Sequence, residues 1–241
     1  MAAGLRARAK GGLLRIDITV SAYQRLHDLI VSGRLAPGTP LVETDLSARL
    51  GVSRTPVRAA LQRLLQEGFV TAQPAGQMLR ASVAPLTAAD MREVFLITGA
   101  LEAAGARLAA ALEAPQREAL ADELARLADL LHQAAADRPP DLLRAQDLHA
   151  CFHRTYATAA AGPRLIAELE VLQPQAERYE RVYTTAIISA FDEAERERAA
   201  IIEALRRGDA DAVETAVSRT WRGAVERYAR VVTILGERGN W

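Results

Sequence analysis

Hydrophobic and polar positions divide the chain into two differently patterned parts. In the first, Val20, Tyr23, Leu26, His27 and Ile30 recur at helical spacing, and the run stops at Gly33. Ala36-Pro37-Gly38-Thr39-Pro40 is a turn cluster that cannot continue a helix. A second short helix follows from Glu43 to Leu50, with Leu46 and Leu50 on one face and Gly51 at its C-terminal end. Ser53 stands where an N-cap belongs and Pro56 falls in the first turn of a third helix, whose apolar face is Val57, Leu61, Leu64 and Leu65. That helix ends at Gly68. Phe69-Val70-Thr71 and Met78 to Val83 have strand character, and Pro74-Ala75-Gly76 reads as the tip of a hairpin. Helix, helix, tight turn, helix, hairpin is the layout of a winged helix-turn-helix.

After Ala84-Pro85-Leu86 the period stays near 3.6 to about residue 235, with almost no strand signal. Thr87 with Asp90 marks a helix start, and Val94, Ile97, Leu101, Ala104, Leu108 and Ala111 make one long apolar face. Pro115 opens a second helix carrying Leu120, Leu124, Leu127 and Leu131. Arg138-Pro139-Pro140 punctuates, and a third helix runs from about Asp141 to Ala160. Gly162-Pro163 starts a fourth, with a kink expected at Pro174. A fifth spans Phe191 to Arg207 and stops at Gly208. The sixth begins at Asp209 and turns Val213, Val217, Ala224 and Tyr228 inward. The expected fold is mainly α: an N-terminal winged helix-turn-helix followed by an antiparallel bundle of six to seven helices. The expected boundaries are a basic tail over 1–18, the DNA-binding domain over 19–83, a linker over 84–88 and the helical domain over 89–235.

Charge sharpens this division. The 241 residues carry thirty basic and thirty acidic side chains. Residues 1–82 hold eleven of the basic and five of the acidic ones, so the first part is cationic and the second anionic. A basic piece of this layout suits a polyanion. Half the residues are hydrophobic and a quarter charged, which excludes a disordered polyelectrolyte or a collagen-like fibre. Cys151 is the only cysteine, so no intrachain disulfide forms. No run of about 18 apolar residues offers a membrane span. The N-terminus lacks the apolar core of a signal peptide, and a cytoplasmic protein is expected.

The third helix carries the chemistry of the first part. A recognition helix enters the major groove with its N-terminal end, which here presents Ser53, Arg54, Thr55 and Arg58. Arginine can set two donors on guanine O6 and N7, while serine and threonine hydroxyls suit phosphate oxygens. Catalytic signatures are missing: the sequence has no glycine-rich phosphate loop, no Gly-x-Ser-x-Gly elbow and no His-Glu-x-x-His. Cys151 lies two residues from both His149 and His153, a spacing that puts it on another side of the helix.

Gly51-Val52-Ser53-Arg54-Thr55-Pro56-Val57-Arg58-Ala59-Ala60-Leu61, then Leu64 and Glu67-Gly68, closely resemble the recognition helix of the GntR family of bacterial transcription regulators. Ile30 to Gly38 looks like that family's end of helix one. Leu101-Glu102 and Ile201-Ile202-Glu203-Ala204-Leu205 before Gly208-Asp209 are similar to the FadR-like effector domain, FCD. The resemblance implies a homodimer that binds a palindromic operator, as a repressor or other regulator, and whose grip a small metabolite changes. It places Arg54 and Arg58 on bases, Ser53 and Thr55 on the backbone, and Gly76 at the wing tip near the minor groove. Thr44 stands where relatives often have another arginine, and Arg49 and Arg63 are further phosphate candidates.

Many members of the subfamily hold a divalent metal in the bundle through an aspartate, a histidine four residues on, and two histidines on the last two helices. Here His149 replaces the aspartate, His153 matches, the third position falls on Arg198 and the fourth near Thr220. Arginine has no lone pair to give and repels a cation. On the third bundle helix, Gln146, His149, His153 and Tyr156 share one stripe while Phe152 points elsewhere. Three readings of the histidine pair stay open at this stage. It belongs to a Zn, Ni or Mn site with altered ligands, to a metal-free polar pocket, or to a hydrogen-bonded core. In the metal-free case Arg198, with Thr220 and the histidines, would receive a carboxylate or phosphate. Thr98 stands where relatives carry another arginine. The alternative is the same fold with a lost effector pocket, acting constitutively or through a partner.

Overall fold

A computed structural model describes residues 20–75, 78–183 and 191–239. Helix α1 covers 20–31, α2 Glu43–Leu50 and α3 Arg54–Gln66, followed by strands β1 Val70–Ala75 and β2 Met78–Val83. Six further helices follow: α4 Ala88–Ala110, α5 Ala114–Ala136, α6 Leu142–Thr158, α7 Pro163–Tyr183, α8 Phe191–Arg207 and α9 Ala210–Leu235. The mainly α reading and the winged helix-turn-helix layout hold. Contacts divide the chain into one unit up to Leu86, which Arg238 and Gly239 join, and a second from Thr87 to Glu237.

In the first unit the helices close over Leu26, Ile30, Leu46, Leu50, Val57, Leu64 and Phe69, all buried. Gly51 ends α2 in the left-handed region at φ 69°, a conformation that costs glycine little, and its N–H and that of Val52 return to Ala48 and Ser47. That turn delivers Ser53 and α3 immediately afterwards. Two expected core positions, Val20 and Leu65, are instead exposed at helix edges. The wing pairs β1 with β2 antiparallel, from Val70 opposite Val83 to Ala75 opposite Met78. Pro74 and Ala75 are therefore strand residues and not the hairpin tip, because the backbone ladder continues through both. Gly76 lies outside the described residues.

Arg238 returns to this unit: Leu86 and Arg238 exchange both backbone hydrogen bonds, at 2.8 and 3.1 Å. A Cβ on Gly239 would come within 2.5 Å of the Gly38 nitrogen, so the two glycines permit a close backbone crossing.

In the second unit side chains cap the helices: Thr87, Asp141 and Asp209 each accept the backbone N–H three residues on, at 3.1, 3.1 and 3.0 Å. α7 continues through Pro174. The burial of α4 differs from expectation. Its core face is Met91, Val94, Phe95, Thr98, Glu102 and Ala106, whereas Ile97, Ala104, Leu108 and Ala111 are exposed. From Val94 onward the helix is apolar on most sides, so periodicity offered two stripes, and packing kept Val94 but otherwise buried the other one. Glycine lets neighbours come close: a Cβ at Gly99 would meet Trp221 of α9 at 2.7 Å, and one at Gly105 the carbonyl of Ala157 on α6 at 2.1 Å.

Candidate functional sites

The DNA-facing candidates gather at the start of α3. Ser53 is the N-cap by position, with extended φ and ψ, but its hydroxyl makes no capping hydrogen bond. Arg54, Thr55 and Arg58 are exposed beside it, and the first turn of α3 has no acidic residue. The dipole of α3 adds partial positive charge at the same end.

Arg58 is engaged within the protein: its Nε and Nη2 donate to the two carboxylate oxygens of Glu43 on α2, at 2.8 and 2.7 Å. The pair is not legible in the sequence, because the partners are fifteen residues apart on different helices. Arg63, a phosphate candidate, is engaged too. Its Nε donates to Glu67 at 2.8 Å and its guanidinium carbon lies 3.8 Å from the centre of the Tyr23 ring. It braces α1 against α3. Thr44 and Arg49 are exposed on α2, with the Thr44 hydroxyl 3.2 Å from Asp45.

In the helical unit a cavity of about 100 Å³ lies among α5, α6, α7, α8 and α9. Gln146, His149, His153, Arg198 and Thr220, expected to share a pocket, all line it. Phe152, expected to point away, lines it as well. Thr98 does not: it is fully buried and its hydroxyl donates to the Val94 carbonyl at 2.7 Å, which satisfies it within α4.

The histidines turn to two different carboxylates. The His153 Nδ1 lies 2.7 Å from Glu102, and the His149 Nε2 lies 3.5 Å from Glu180. Among the described residues no three His, Cys, Asp or Glu side chains are placed to hold a metal. With Arg198 and Thr220 at the other two expected positions, the donor set does not fit a divalent cation. FCD domains of some relatives bind metal; nothing in the chemistry of these side chains calls for one.

Glu102 is the centre of a knot that sequence reasoning did not anticipate. Fully buried on α4, it accepts from His153 and Tyr156 of α6 at 2.7 and 2.5 Å, from Gln173 of α7 at 2.8 Å and from Trp221 of α9 at 2.8 Å. Glu102 as the one acid in the largely apolar run from Val94 to Leu112 was the available signal, since a buried charge must be partnered. Burial alone would push its carboxyl up, but the His153 charge and the surrounding hydrogen bonds outweigh burial and hold it below the ordinary value. Burial likewise opposes the His153 charge, yet Glu102 and Glu180 outweigh it and raise the imidazole.

Stability should therefore depend on pH. The His153 contribution is complete below the unfolded value of 6.5 and is lost as pH rises through the higher folded value. The Glu102 contribution is complete above 4.5 and is lost as pH falls through the lower folded value. The melting temperature is expected to fall on the alkaline side of this window, and a Glu102→Gln variant should lack that decline. Equal alkaline declines in both proteins, measured by circular dichroism, would remove His153 as the cause.

Arg198 has no such partner among the described residues. It is 4 % exposed, and neither its Nε nor its Nη2 has an acceptor among them. Glu195 and Glu197 act on it only through longer-range attraction. Arg227 is occupied: it forks Glu197 at 3.1 and 3.1 Å and reaches Glu193 at 3.3 Å.

A winged helix-turn-helix followed by a helical unit defines a class, the helix-turn-helix transcriptional regulators. Residues 18–77 match the model for bacterial regulatory proteins of the gntR family and residues 93–223 that for the FCD domain, and the chain belongs to this family. A relative from Agrobacterium vitis, described as an uncharacterized HTH-type transcriptional regulator in the TAR-I ttuE-ttuC' intergenic region, is 32 % identical over 142 residues, 58 % of this chain and 80 % of that protein. The HTH-type transcriptional repressor RspR of Escherichia coli K12 is 38 % identical over 90 residues, 37 % of this chain and 38 % of its own. Among solved structures, E. coli McbR/YncC has a TM-score of 0.71 at 22 % identity, over 88 % of this chain and 97 % of that one, a likeness of fold. The family is one of bacterial regulatory proteins, which are not enzymes. Among the described residues no helix is long and apolar enough to cross a membrane.

Proposed function

We propose that the chain acts in the cytoplasm as a homodimer on a palindromic operator, and that a small anion received by Arg198 sets its grip on the DNA. Ser53, Arg54, Thr55 and Arg58 meet the DNA, with Arg54 and Arg58 on base edges and the hydroxyls on phosphates. Thr44 and Arg49 lie on the neighbouring helix as outer contacts. One recognition helix reads only half a site, so two copies are needed. An exposed face of α4 with Leu96 and Ile97, 68 and 47 % exposed, suits the pairing of two copies.

The observation that carries this reading is the buried Arg198 guanidinium. An unpaired buried charge is costly, and a carboxylate or phosphate would supply the acceptors it lacks. The test begins by selecting operators from random duplexes and measuring affinity by fluorescence anisotropy across a salt series. The expected result is two chains per duplex, a steep linear fall of log affinity with log salt, and a preference for the selected palindrome of about 10³ or more over random DNA. Equal affinity for both duplexes, or one chain per duplex, would contradict the reading.

A further inference from the structure

We infer that the ligand of the Arg198 cavity is an aromatic monocarboxylate, with its carboxylate on the Arg198 guanidinium and its ring in the apolar remainder. This deepens the anion-binding reading and rests on it.

The first argument is the count of charges. Four cationic or protonatable side chains line the cavity: Arg198, Arg227, His149 and His153. Arg227 is forked by Glu197, His153 is held by Glu102, and His149 faces Glu180. Of these four side chains only Arg198 has buried donor atoms that lack an acceptor among the described residues, and its planar fork matches one carboxylate.

The second argument is exclusion. Glu180 and Glu197 also line this small cavity, so a second carboxylate on the same ligand would meet like charge at close range.

The third argument is the lining itself. The chain is only 5 % aromatic, yet Phe152, Phe191, Trp221 and Tyr228 all border this cavity. That is two of its four phenylalanines, one of its two tryptophans and one of its five tyrosines. Flat rings pack against such walls in offset or edge-on contact.

The test uses four probes on the full chain, each changing one feature, with binding read by calorimetry and thermal shift. They are benzoate, benzamide (the neutral isostere), acetate (the anion without a ring) and terephthalate (a second carboxylate on the ring). Benzoate should bind at least tenfold tighter than each of the others, and Arg198→Met should weaken it at least tenfold. Removing an unpaired buried charge should leave the melting temperature of that variant equal or higher, which separates lost binding from lost folding. If acetate or terephthalate matches benzoate in an Arg198-dependent way, the aromatic monocarboxylate is overturned while the anion site stands. If benzamide matches benzoate and Arg198→Met changes nothing, both fall. No binding by any of the four overturns the inference as well.

Discussion

Replacing Glu102 with alanine is expected to cost about 3–5 kcal/mol of stability, the scale found when one partner of a buried charge pair is removed. The variant would leave His153 without its counter-charge and would strip Tyr156, Gln173 and Trp221 of the acceptor they share. Each donor left buried and unmade carries its own penalty of about 1–3 kcal/mol, partly relieved if the site relaxes or water enters. Against a typical total of about 5–15 kcal/mol this is a large fraction, and α4, α6, α7 and α9 would lose a common anchor. Glu102→Gln should lie between wild type and Glu102→Ala, since its carbonyl still accepts while its amide faces donors. Urea unfolding of the three proteins checks the order. A loss below about 1 kcal/mol for Glu102→Ala, the net worth of a single ordinary hydrogen bond, would mean that the knot is not held by this carboxylate.

Arg54→Ala is expected to lower operator affinity by about 1–3 kcal/mol per half-site, roughly tenfold to a hundredfold, while binding to random duplex falls far less. Arg54 is exposed at the first position of α3, and no acidic residue occupies that turn. Arg58→Ala should show a smaller net effect, because Arg58 must exchange its fork on Glu43 for the DNA. Anisotropy titrations with the selected operator and a scrambled duplex make the comparison. Equal losses on both duplexes would assign Arg54 to phosphate instead of a base edge.

What the sequence made legible was mostly local. Gly51, Ser53 and Pro56 mark the turn and start of α3 within a few residues of one another, and Gly208 with Asp209 does the same between α8 and α9. Such signals act over one helical turn, so they can be read without knowing the tertiary fold. The resemblance to the FCD domain also pointed to Arg198 and Thr220, both of which line the cavity.

The failures were long-range. Glu102 meets partners 51 to 119 residues away, and no local pattern encodes them. α4 has apolar residues on both sides, so the buried stripe could not be chosen before its neighbours were known. Phe152 precedes His153 by one residue and yet borders the same cavity, because several helices close round α6 there. The return of Arg238 to Leu86 is a pairing of backbone groups, to which side-chain patterns are blind. Arg58 and Arg63 were recognised as cations on α3, but their pairing with Glu43 and Glu67 was not.

The most direct test of the central claim is operator affinity for wild type and Arg198→Met, each with and without the acid that gives the largest thermal shift. Fluorescence anisotropy on the selected palindrome supplies all four values. The account predicts that the acid changes wild-type affinity by about 5-fold to 150-fold, the usual range of coupling between two sites. It predicts that Arg198→Met binds the operator as the ligand-free wild type does and ignores the acid. An Arg198→Met protein that still responds as wild type does, or a wild type whose operator affinity no bound acid alters, would contradict it.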